Sequence, residues 1–197
     1  MTRAPLYVGL VHFPVISKDQ KIIASSVTNL DLHDISRTCL TFGANCFFVI
    51  TPVKAQHSLV RKIIRHWESD EGNAYNPDRA NALREVVLVD SLEDAVEKIL
   101  QTSTRRPKIV VTGANFVQAD GATEELRSMM EIDNTPILLV FGTGWGLAPE
   151  IVELADFRLF PIRAPFCEYN HLSVRSAVAI YLDRLLGERV SGNGEVP

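Results

Sequence analysis

Several features that define other classes of protein are missing from this sequence of 197 residues. No apolar run approaches the roughly 20 residues that a membrane-spanning helix needs. The opening stretch MTRAPLYVGLVHFPV lacks a small-residue cleavage site, so we expect a strand there and not a signal peptide. Repeats and low-complexity segments are also lacking. These absences predict one globular domain over residues 1–188, followed by a disordered tail over residues 189–197.

Cysteine is scarce, with only Cys39, Cys46 and Cys167, and their spacing matches neither a disulfide framework nor a metal motif. Cys39 and Cys46 lie in apolar sequence and are expected to be small core residues. The five histidines show no helical i, i+4 pair and no cysteine partner at ligand spacing, so we expect no metal site. A reducing cytoplasmic location fits this pattern.

Positive charge is also in short supply, because the formal net charge is −4. This balance argues against a large non-specific surface for nucleic acid, although it permits a local basic patch. No G-x-G-x-x-G follows the first strand and no G-K-[ST] occurs, so a nucleotide-binding enzyme is only a weaker alternative.

Apolar runs alternate with helical patterns along the chain, which predicts an α/β fold with a parallel sheet in three layers and helices on both faces. Helices are expected over about 31–42, with Asp31 as N-cap, over about 55–67 and from about Asn170 to Gly187, with a polar loop over 69–78. The expected strands are Leu6–Val11, Asn45–Ile50, Glu85–Val89, Lys108–Thr112, Ile137–Phe141 and Phe157–Ile162.

The most informative stretch is LLVFGTGWGL, over residues 138–147, in which a buried strand leads into three alternating glycines. Glycines permit positive φ and a close approach of backbone to a ligand. Pro149 then suits the first turn of a helix. A strand, a glycine loop and a helix start together predict a ligand cradle, although a generic glycine turn in a doubly wound fold is the simpler alternative.

Three segments, LLVFGTGWGL, PIRAP and NHLSVRSAVAIYLDRLLG, together resemble the carboxyl-terminal half of the SPOUT superfamily of RNA methyltransferases. The nearest branch is a set of uncharacterised bacterial and archaeal SPOUT-like proteins, and the likeness extends to VHFPV, TNLDLHDISR and YNPDR. The resemblance implies a deep trefoil knot, within about residues 108–187, whose loops hold S-adenosylmethionine. The residues implied in cofactor binding are Thr112, Gly113, Phe141, Gly142, Thr143, Gly144, Trp145, Gly146, Leu147, Pro161, Ile162, Asn170, His171, Leu172 and Val174.

Candidate catalytic residues come from two segments of the same resemblance. Asn29 and, eight residues later, Arg37 keep the spacing of the first motif of ribose-methylating SPOUT enzymes, where the arginine helps to activate a hydroxyl. His171 and Ser173 stand where that branch has serine and asparagine, which leaves the acceptor open between ribose and base nitrogen. The simpler alternatives are that Arg37 pairs with Asp31 or Asp34, and that Ser173 only caps the last helix.

A basic stripe on the second helix predicts RNA contacts, because Lys54, His57, Arg61 and Arg65 occur in a segment without acids. Arg175 is a further candidate for contact with RNA. Ordinary solvation of a charged helix face is the alternative.

The sequence therefore predicts an S-adenosylmethionine-dependent methyltransferase acting on RNA, with tRNA and rRNA as the expected classes. We expect a homodimer formed through the knotted region, with active-site residues shared between subunits. The alternative is a knotted module that binds cofactor or RNA without catalysis, which the altered third motif and the net acidity favour.

Overall fold

Six parallel strands form one sheet in the computed structural model, which describes residues 3–188. The strands of this sheet stand in the order β5-β4-β1-β7-β6-β8, so that β1 lies at its centre beside β7. A separate antiparallel hairpin, which the sequence did not predict, is formed by β2 and β3. The strands are β1 Leu6–Val11, β2 Val15–Ile16, β3 Ile22–Ile23, β4 Cys46–Ile50, β5 Val86–Val89, β6 Lys108–Val111, β7 Ile137–Gly142 and β8 Phe157–Arg158.

Helices cover both faces of the sheet, so the central strands β1 and β7 are buried on both sides. Leu6, Val8 and Leu10 of β1 point to one core, while Tyr7 and Val11 point to the other. The eight helices within residues 3–188 are α1 Asn29–Phe42, α2 Lys54–Glu68, α3 Asp70–Tyr75, α4 Pro77–Arg84, α5 Leu92–Ser103, α6 Thr123–Ile132, α7 Pro149–Glu153 and α8 Val174–Leu186.

The first core is covered by α1, α2, α4, α6 and α8, and the second by α5 and α7. The predicted three-layer parallel α/β fold is therefore confirmed. Five of these eight helices, α1, α3, α4, α5 and α8, begin at a side chain that accepts from an amide of the first turn, whereas α2, α6 and α7 do not. Thr28, for example, accepts from the Asp31 amide at 3.1 Å, which corrects the prediction that Asp31 itself is the N-cap.

Three further predictions of local structure are wrong. The expected loop over 69–78 is mostly helical, because Ser69 and Asn76 cap α3 and α4. The strand after α7 stops at Arg158 and does not continue to Ile162. The last helix begins only at Val174, with Ser173 as its N-cap, so that the segment from 159 to 173 is one long irregular loop.

The knot and the single-domain boundaries remain predictions, and the expected disordered tail lies outside the described residues. No helix between residues 3 and 188 is long and apolar enough to cross a membrane. The same part of the chain contains no group of three or more histidine, cysteine, aspartate or glutamate side chains arranged to hold a metal ion.

Candidate cofactor and active site

One cavity of about 530 Å³ opens at the carboxyl ends of the central strands. In doubly wound sheets this edge is where ligands bind, and small-molecule cavities usually occupy roughly 300–1,000 Å³. Its lining comes from the segments that follow β3, β6 and β7, from the loop before α8, and from α1 and α8. The lining residues are Ser25, Ser26, Thr28, Asp31, Thr112, Gly113, Ala114, Asn115, Phe141, Gly142, Thr143, Gly144, Trp145, Gly146, Ile162, Asn170, His171, Leu172, Ser173, Val174, Arg175, Ala177 and Tyr181.

The glycine loop over residues 142–146, which we call the floor loop, is fixed by the neighbouring hairpin. The Trp145 amide donates to the Ile16 carbonyl at 3.0 Å, and the Ile16 amide donates to Gly146 at 3.0 Å. Gly144 has φ +62°, and a Cβ there would stand 3.0 Å from the Ile16 carbonyl oxygen. The loop thus needs glycine at 144 for its backbone conformation and for its contact with β2.

Beneath the floor loop, three polar side chains form a hydrogen-bonded row. Thr143 Oγ1 donates to the Val11 carbonyl at 3.0 Å and lies 2.5 Å from Ser25 Oγ. Ser25 Oγ lies in turn 2.9 Å from Nδ1 of His12, which is fully buried. Burial lowers the pKa of His12 to about 4, against an opposing effect of the Asp31 charge.

The loop over residues 159–173, which we call the wall loop, closes the other side of the cavity. His171 of this loop lies between two exposed aromatic rings: its ring centroid is 5.3 Å from that of Tyr169 in the same loop and 6.3 Å from that of Trp145 in the floor loop. The Tyr181 hydroxyl donates to the Phe160 carbonyl at 2.9 Å, and the side-chain amide of Asn170 donates to the Ala114 carbonyl at 2.9 Å. Burial raises the pKa of Tyr181 to about 12, so this phenol stays protonated near neutral pH.

Arg175 forms ion pairs with two carboxylates of α1 at the edge of the cavity. Its guanidinium lies 3.4 Å from Asp31 and 3.4 Å from Asp34. The sequence prediction had paired those acids with Arg37 as the simpler alternative, and the structure corrects that pairing. Much of the Arg175 charge is therefore matched inside the chain, which weakens its assignment as an RNA contact.

Most of the residues predicted to hold the cofactor are brought together in the cavity. Two are not: Leu147 is buried in the second core and Pro161 does not line the cavity. Leu147 faces inward because its backbone pairs with Val15, which directs the chain away from the opening. The others remain predicted contacts with a geometry that suits the role.

The four predicted catalytic residues are divided by the fold. His171 and Ser173 line the cavity, whereas Asn29 and Arg37 do not. Ser173 also caps α8, since its Oγ accepts from the Ser176 amide at 3.4 Å. Asn29 and Arg37 lie on exposed positions of α1. In a single chain the predicted catalytic set is therefore incomplete.

The basic stripe on α2 is smaller than the sequence suggested. His57 is buried, with Nε2 2.6 Å from the Thr51 carbonyl, which contradicts its prediction as an RNA contact. Lys54 donates to Asp90 at 2.7 Å, and this hydrogen bond lowers the pKa of the Asp90 carboxyl. Arg61 and Arg65 remain exposed and remain predicted RNA contacts.

Sequence reasoning missed the contribution of the segment between β3 and α1. Ser25, Ser26, Thr28 and Asp31 all line the cavity, although they precede the glycine loop by more than 100 residues. The available signal was a cluster of small hydroxyl side chains just before a capped helix. Asp31, rather than Asn29, is the residue of the first motif that reaches the cavity.

The cavity fits S-adenosylmethionine in its size and in its chemistry. Gly142 lets the floor loop fold tightly on itself, because a Cβ there would stand 2.6 Å from the Leu147 amide nitrogen. Apolar surface from Phe141, Ile162 and Leu172 suits an adenine ring, while the Asp31 carboxylate and the hydroxyl groups suit hydroxyl and cationic groups.

Comparisons with known proteins agree with this geometry. A family described as SAM-dependent RNA methyltransferase matches residues 5–187. A protein of Oleidesulfovibrio alaskensis named tRNA (guanine-N(1)-)-methyltransferase is 44% identical over 93% of this chain, but the match spans only 42% of that relative. An uncharacterized protein of Aquifex aeolicus is 37% identical over 94% of this chain and 90% of its own length.

The fold is also shared with solved methyltransferase structures. The SpoU methyltransferase AviRb from Streptomyces viridochromogenes, in complex with the cofactor AdoMet, aligns with a TM-score of 0.56 and 17% identity over 98% of this chain and 61% of that one. At this identity the likeness shows the fold alone, and that fold is the one that the resemblance to SPOUT enzymes predicts, apart from the knot. Because the family model covers nearly the whole chain, the protein belongs to the family of S-adenosylmethionine-dependent RNA methyltransferases.

Proposed function

We propose that this chain methylates a nucleotide of tRNA, with S-adenosylmethionine held in the cavity between the floor loop and the wall loop. The observation that carries the proposal is the convergence of the glycine loop, the Thr112–Asn115 segment and His171 on one opening at the carboxyl ends of β6 and β7. When bound there, S-adenosylmethionine supplies a methyl group already activated by a sulfonium.

The chain must then orient the acceptor and take up its proton. His171 is the candidate for taking up the proton, because it is the histidine that lines the cavity and a neutral imidazole nitrogen can accept a proton. Trp145 and Tyr169 flank its ring and offer exposed aromatic faces on which a base can stack.

Arg37 fits the proposal only if a second copy of the chain supplies it. Its side chain lies outside the cavity of its own subunit, and it has no ion-pair partner within residues 3–188. We propose a homodimer in which Arg37 reaches the partner's cavity. Its permanently charged, planar guanidinium suits a phosphate or a developing oxyanion.

The substrate class rests on the relatives of this chain, and the modified atom stays open. The relatives named for guanine-N1 methylation of tRNA match over only 42% of their length, so the named activity can belong to the part that this chain does not share. We therefore propose tRNA as the substrate class and treat guanine N1, another base nitrogen and a ribose hydroxyl as outcomes to be measured.

The first test is calorimetric titration with S-adenosylmethionine and its demethylated product, with ATP and NAD as controls. Binding of the first pair alone supports the cavity assignment, whereas tighter binding of ATP or NAD would overturn it. Transfer of labelled methyl to unmodified tRNA and rRNA pools, followed by mass spectrometry of the nucleosides, then identifies the acceptor. His171→Ala should reduce methyl transfer far more than it reduces cofactor affinity, and the exposed His66→Ala is the matched control.

Sharing of the site between subunits has its own test. Neither Arg37→Ala nor Gly144→Val should be active alone, but mixed dimers of the two should regain activity, because one of their two sites combines an intact Arg37 with an intact floor loop. Mixed dimers without activity would show that Arg37 does not serve the partner's site.

A non-catalytic binding module is the second candidate. It is favoured by the capping role of Ser173 and by the ion pairs of Arg175 with Asp31 and Asp34, because these contacts occupy polar groups of the cavity that catalysis would otherwise use. Saturable cofactor binding without turnover on any RNA pool would support this module over the enzyme.

A further inference from the structure

His12 is the one histidine that is wholly enclosed near the cavity, and the proposed chemistry does not use it. It directly follows β1, and its carbonyl accepts from the Ser25 amide at 2.8 Å. Its Nδ1 contacts Ser25 Oγ, while its Nε2 is buried and has no hydrogen-bond partner within residues 3–188. Buried polar atoms without partners are uncommon, so this one calls for an explanation.

The positions of the protons in this row follow from what each atom can donate. The Val11 carbonyl can only accept, so the Thr143 hydroxyl, whose Oγ1 lies 3.0 Å from the carbonyl oxygen, directs its proton to it. Thr143 Oγ1 and Ser25 Oγ stand 2.5 Å apart, a contact that needs a proton between them. Ser25 supplies it, because its other acceptor, the His12 carbonyl, lies 3.5 Å away and makes only a weak hydrogen bond. Ser25 Oγ then accepts from His12, whose proton is on Nδ1.

The opposite arrangement is unfavourable at both ends of the row. If Thr143 donated to Ser25, and Ser25 to His12, the Thr143 oxygen would face the Val11 carbonyl without a proton between them. His12 would then carry its proton on Nε2, which would be a buried N–H without an acceptor. Orphaned buried N–H groups are rarer than orphaned lone pairs, so the Nδ1–H tautomer is strongly preferred.

We propose that His12 is a positioning residue that keeps the Ser25 and Thr143 hydroxyl protons directed into the protein. Both residues line the cavity, so at these two positions a bound ligand meets hydroxyl oxygens that can accept and whose own protons are already used. The Asp31 carboxylate of the same lining is already matched by Arg175 and Thr28, so the two hydroxyl oxygens carry the argument. A surface of this kind favours ligand groups that donate or carry positive charge.

This inference rests on the proposed cofactor and sharpens it. S-adenosylmethionine carries a positive charge on sulfur, and its demethylated product does not. An acceptor surface held by His12 therefore contributes to the preference of the site for the methyl donor over the product. His12→Asn keeps an N–H donor near the position of Nδ1, whereas His12→Leu removes it and frees Ser25 to turn its proton toward the cavity.

The tautomer is tested first, on the protein without ligand. A long-range ¹H–¹⁵N correlation spectrum, assigned by comparison with His12→Asn, should show His12 as the neutral Nδ1–H form between about pH 5 and pH 8. The Nε2–H form would overturn the proposal. This result does not depend on cofactor binding, so it stands even if the wild-type protein binds neither adenosyl compound and the proposed function fails.

Calorimetry then measures the ratio of the product and donor dissociation constants in the wild type and both variants. His12→Leu should lower this ratio roughly fivefold, the order of one net hydrogen bond, and His12→Asn should preserve it. Equal weakening of both ligands in His12→Leu, or the same ratio in both variants, would overturn the proposal. If His12→Leu does not fold, Ser25→Ala removes one acceptor from the lining and should lower the ratio as well; an unchanged ratio there would count against the proposal.

Discussion

The floor loop and the wall loop face each other across the same cavity, but they are held in place very differently. The floor loop is tied to the end of β1 and to β2 through backbone bonds of Thr143, Trp145 and Gly146, and through the hydroxyl row to His12. The wall loop has backbone bonds of this kind at its start, where the Leu159 amide donates to Val111 and the Phe160 amide to Gly121. Beyond that point it is exposed along most of its length and is joined to the rest by side chains such as Asn170 and Tyr181.

This difference separates two tasks within one site. A fixed floor keeps its geometry before any ligand arrives, so that little ordering free energy is lost when the cofactor binds. An exposed wall with aromatic side chains can adjust to a large substrate such as RNA. We therefore expect changes in the floor to have larger effects on cofactor binding and on stability than changes in the wall.

The largest effect is predicted for Gly144→Val in the floor loop. A β-branched residue does not tolerate φ +62°, and its Cβ would press on the Ile16 carbonyl oxygen, so the loop must leave β2. We expect cofactor binding to fall below detection by calorimetry and the protein to lose about 1–3 kcal/mol of stability in urea unfolding.

The matched control is Gly43→Val, at the end of α1. Gly43 has φ +70° and open space around its Cβ position, so this variant carries a comparable backbone strain away from the cavity. It should be destabilised to a similar extent and still bind S-adenosylmethionine. Loss of binding in both variants would mean that global stability, and not the floor loop, explains the result.

What the sequence could predict of this site follows from how local each feature is. The floor loop was foreseen because a strand, three glycines and Pro149 stand together in the chain. The contribution of Ser25 was not, since its hydroxyl meets Thr143 across 118 positions of sequence. Only the packing of β1 beside β7 brings them together.

The same reasoning explains why the basic stripe on α2 is smaller than the charge pattern predicts. The spacing of basic residues on α2 can be read from a short stretch of sequence. Their hydrogen-bond and ion-pair partners cannot, because these partners are distant in sequence or belong to the backbone. Asp90 comes from the end of β5, and the Thr51 carbonyl precedes the helix. The alternating strands and helices were predictable because apolar periodicity reports burial directly, whereas a helix face does not reveal which cation will be matched.

The second prediction concerns the acid stability of the floor. An ordinary histidine has a pKa of 6.5, and burial lowers the pKa of His12 in the folded protein to about 4. Between these values the unfolded chain binds the additional proton, so stability should fall as the pH drops from about 6.5 to about 4. The loss amounts to roughly 3 kcal/mol.

Urea unfolding at several pH values measures this slope, and His12→Asn should reduce it because asparagine does not titrate. Other groups add to the total, so the difference between the two proteins is the quantity to compare. Parallel curves for wild type and variant over this range would show that His12 is not held neutral by the fold.

A smaller effect is expected for Tyr181→Phe, which acts on the wall loop. The variant removes the hydroxyl that donates to the Phe160 carbonyl, at a cost of about 1 kcal/mol. Burial raises the pKa of Tyr181 from 10.0 to about 12, so the phenol of the unfolded wild type loses its proton at a lower pH than that of the folded protein. The free energy of unfolding should therefore fall as the pH rises from about 10 to about 12. This decline should be shallower in the variant, and a decline of equal slope would place the Tyr181 hydroxyl in contact with solvent.

The smallest effect is expected for Asn170→Ala in the wall loop. Its amide donates to the Ala114 carbonyl, which joins the wall loop to the segment that follows β6 on the opposite side of the cavity. The bond is exposed and competes with water, so we expect the dissociation constant for S-adenosylmethionine to rise only about twofold to fivefold, with no change in the unfolding midpoint. Glu168→Ala, an exposed change in the same loop, is the control and should bind as the wild type does. A loss as complete as that of Gly144→Val would reverse the comparison, because the wall loop would then be as rigid a part of the cofactor site as the floor.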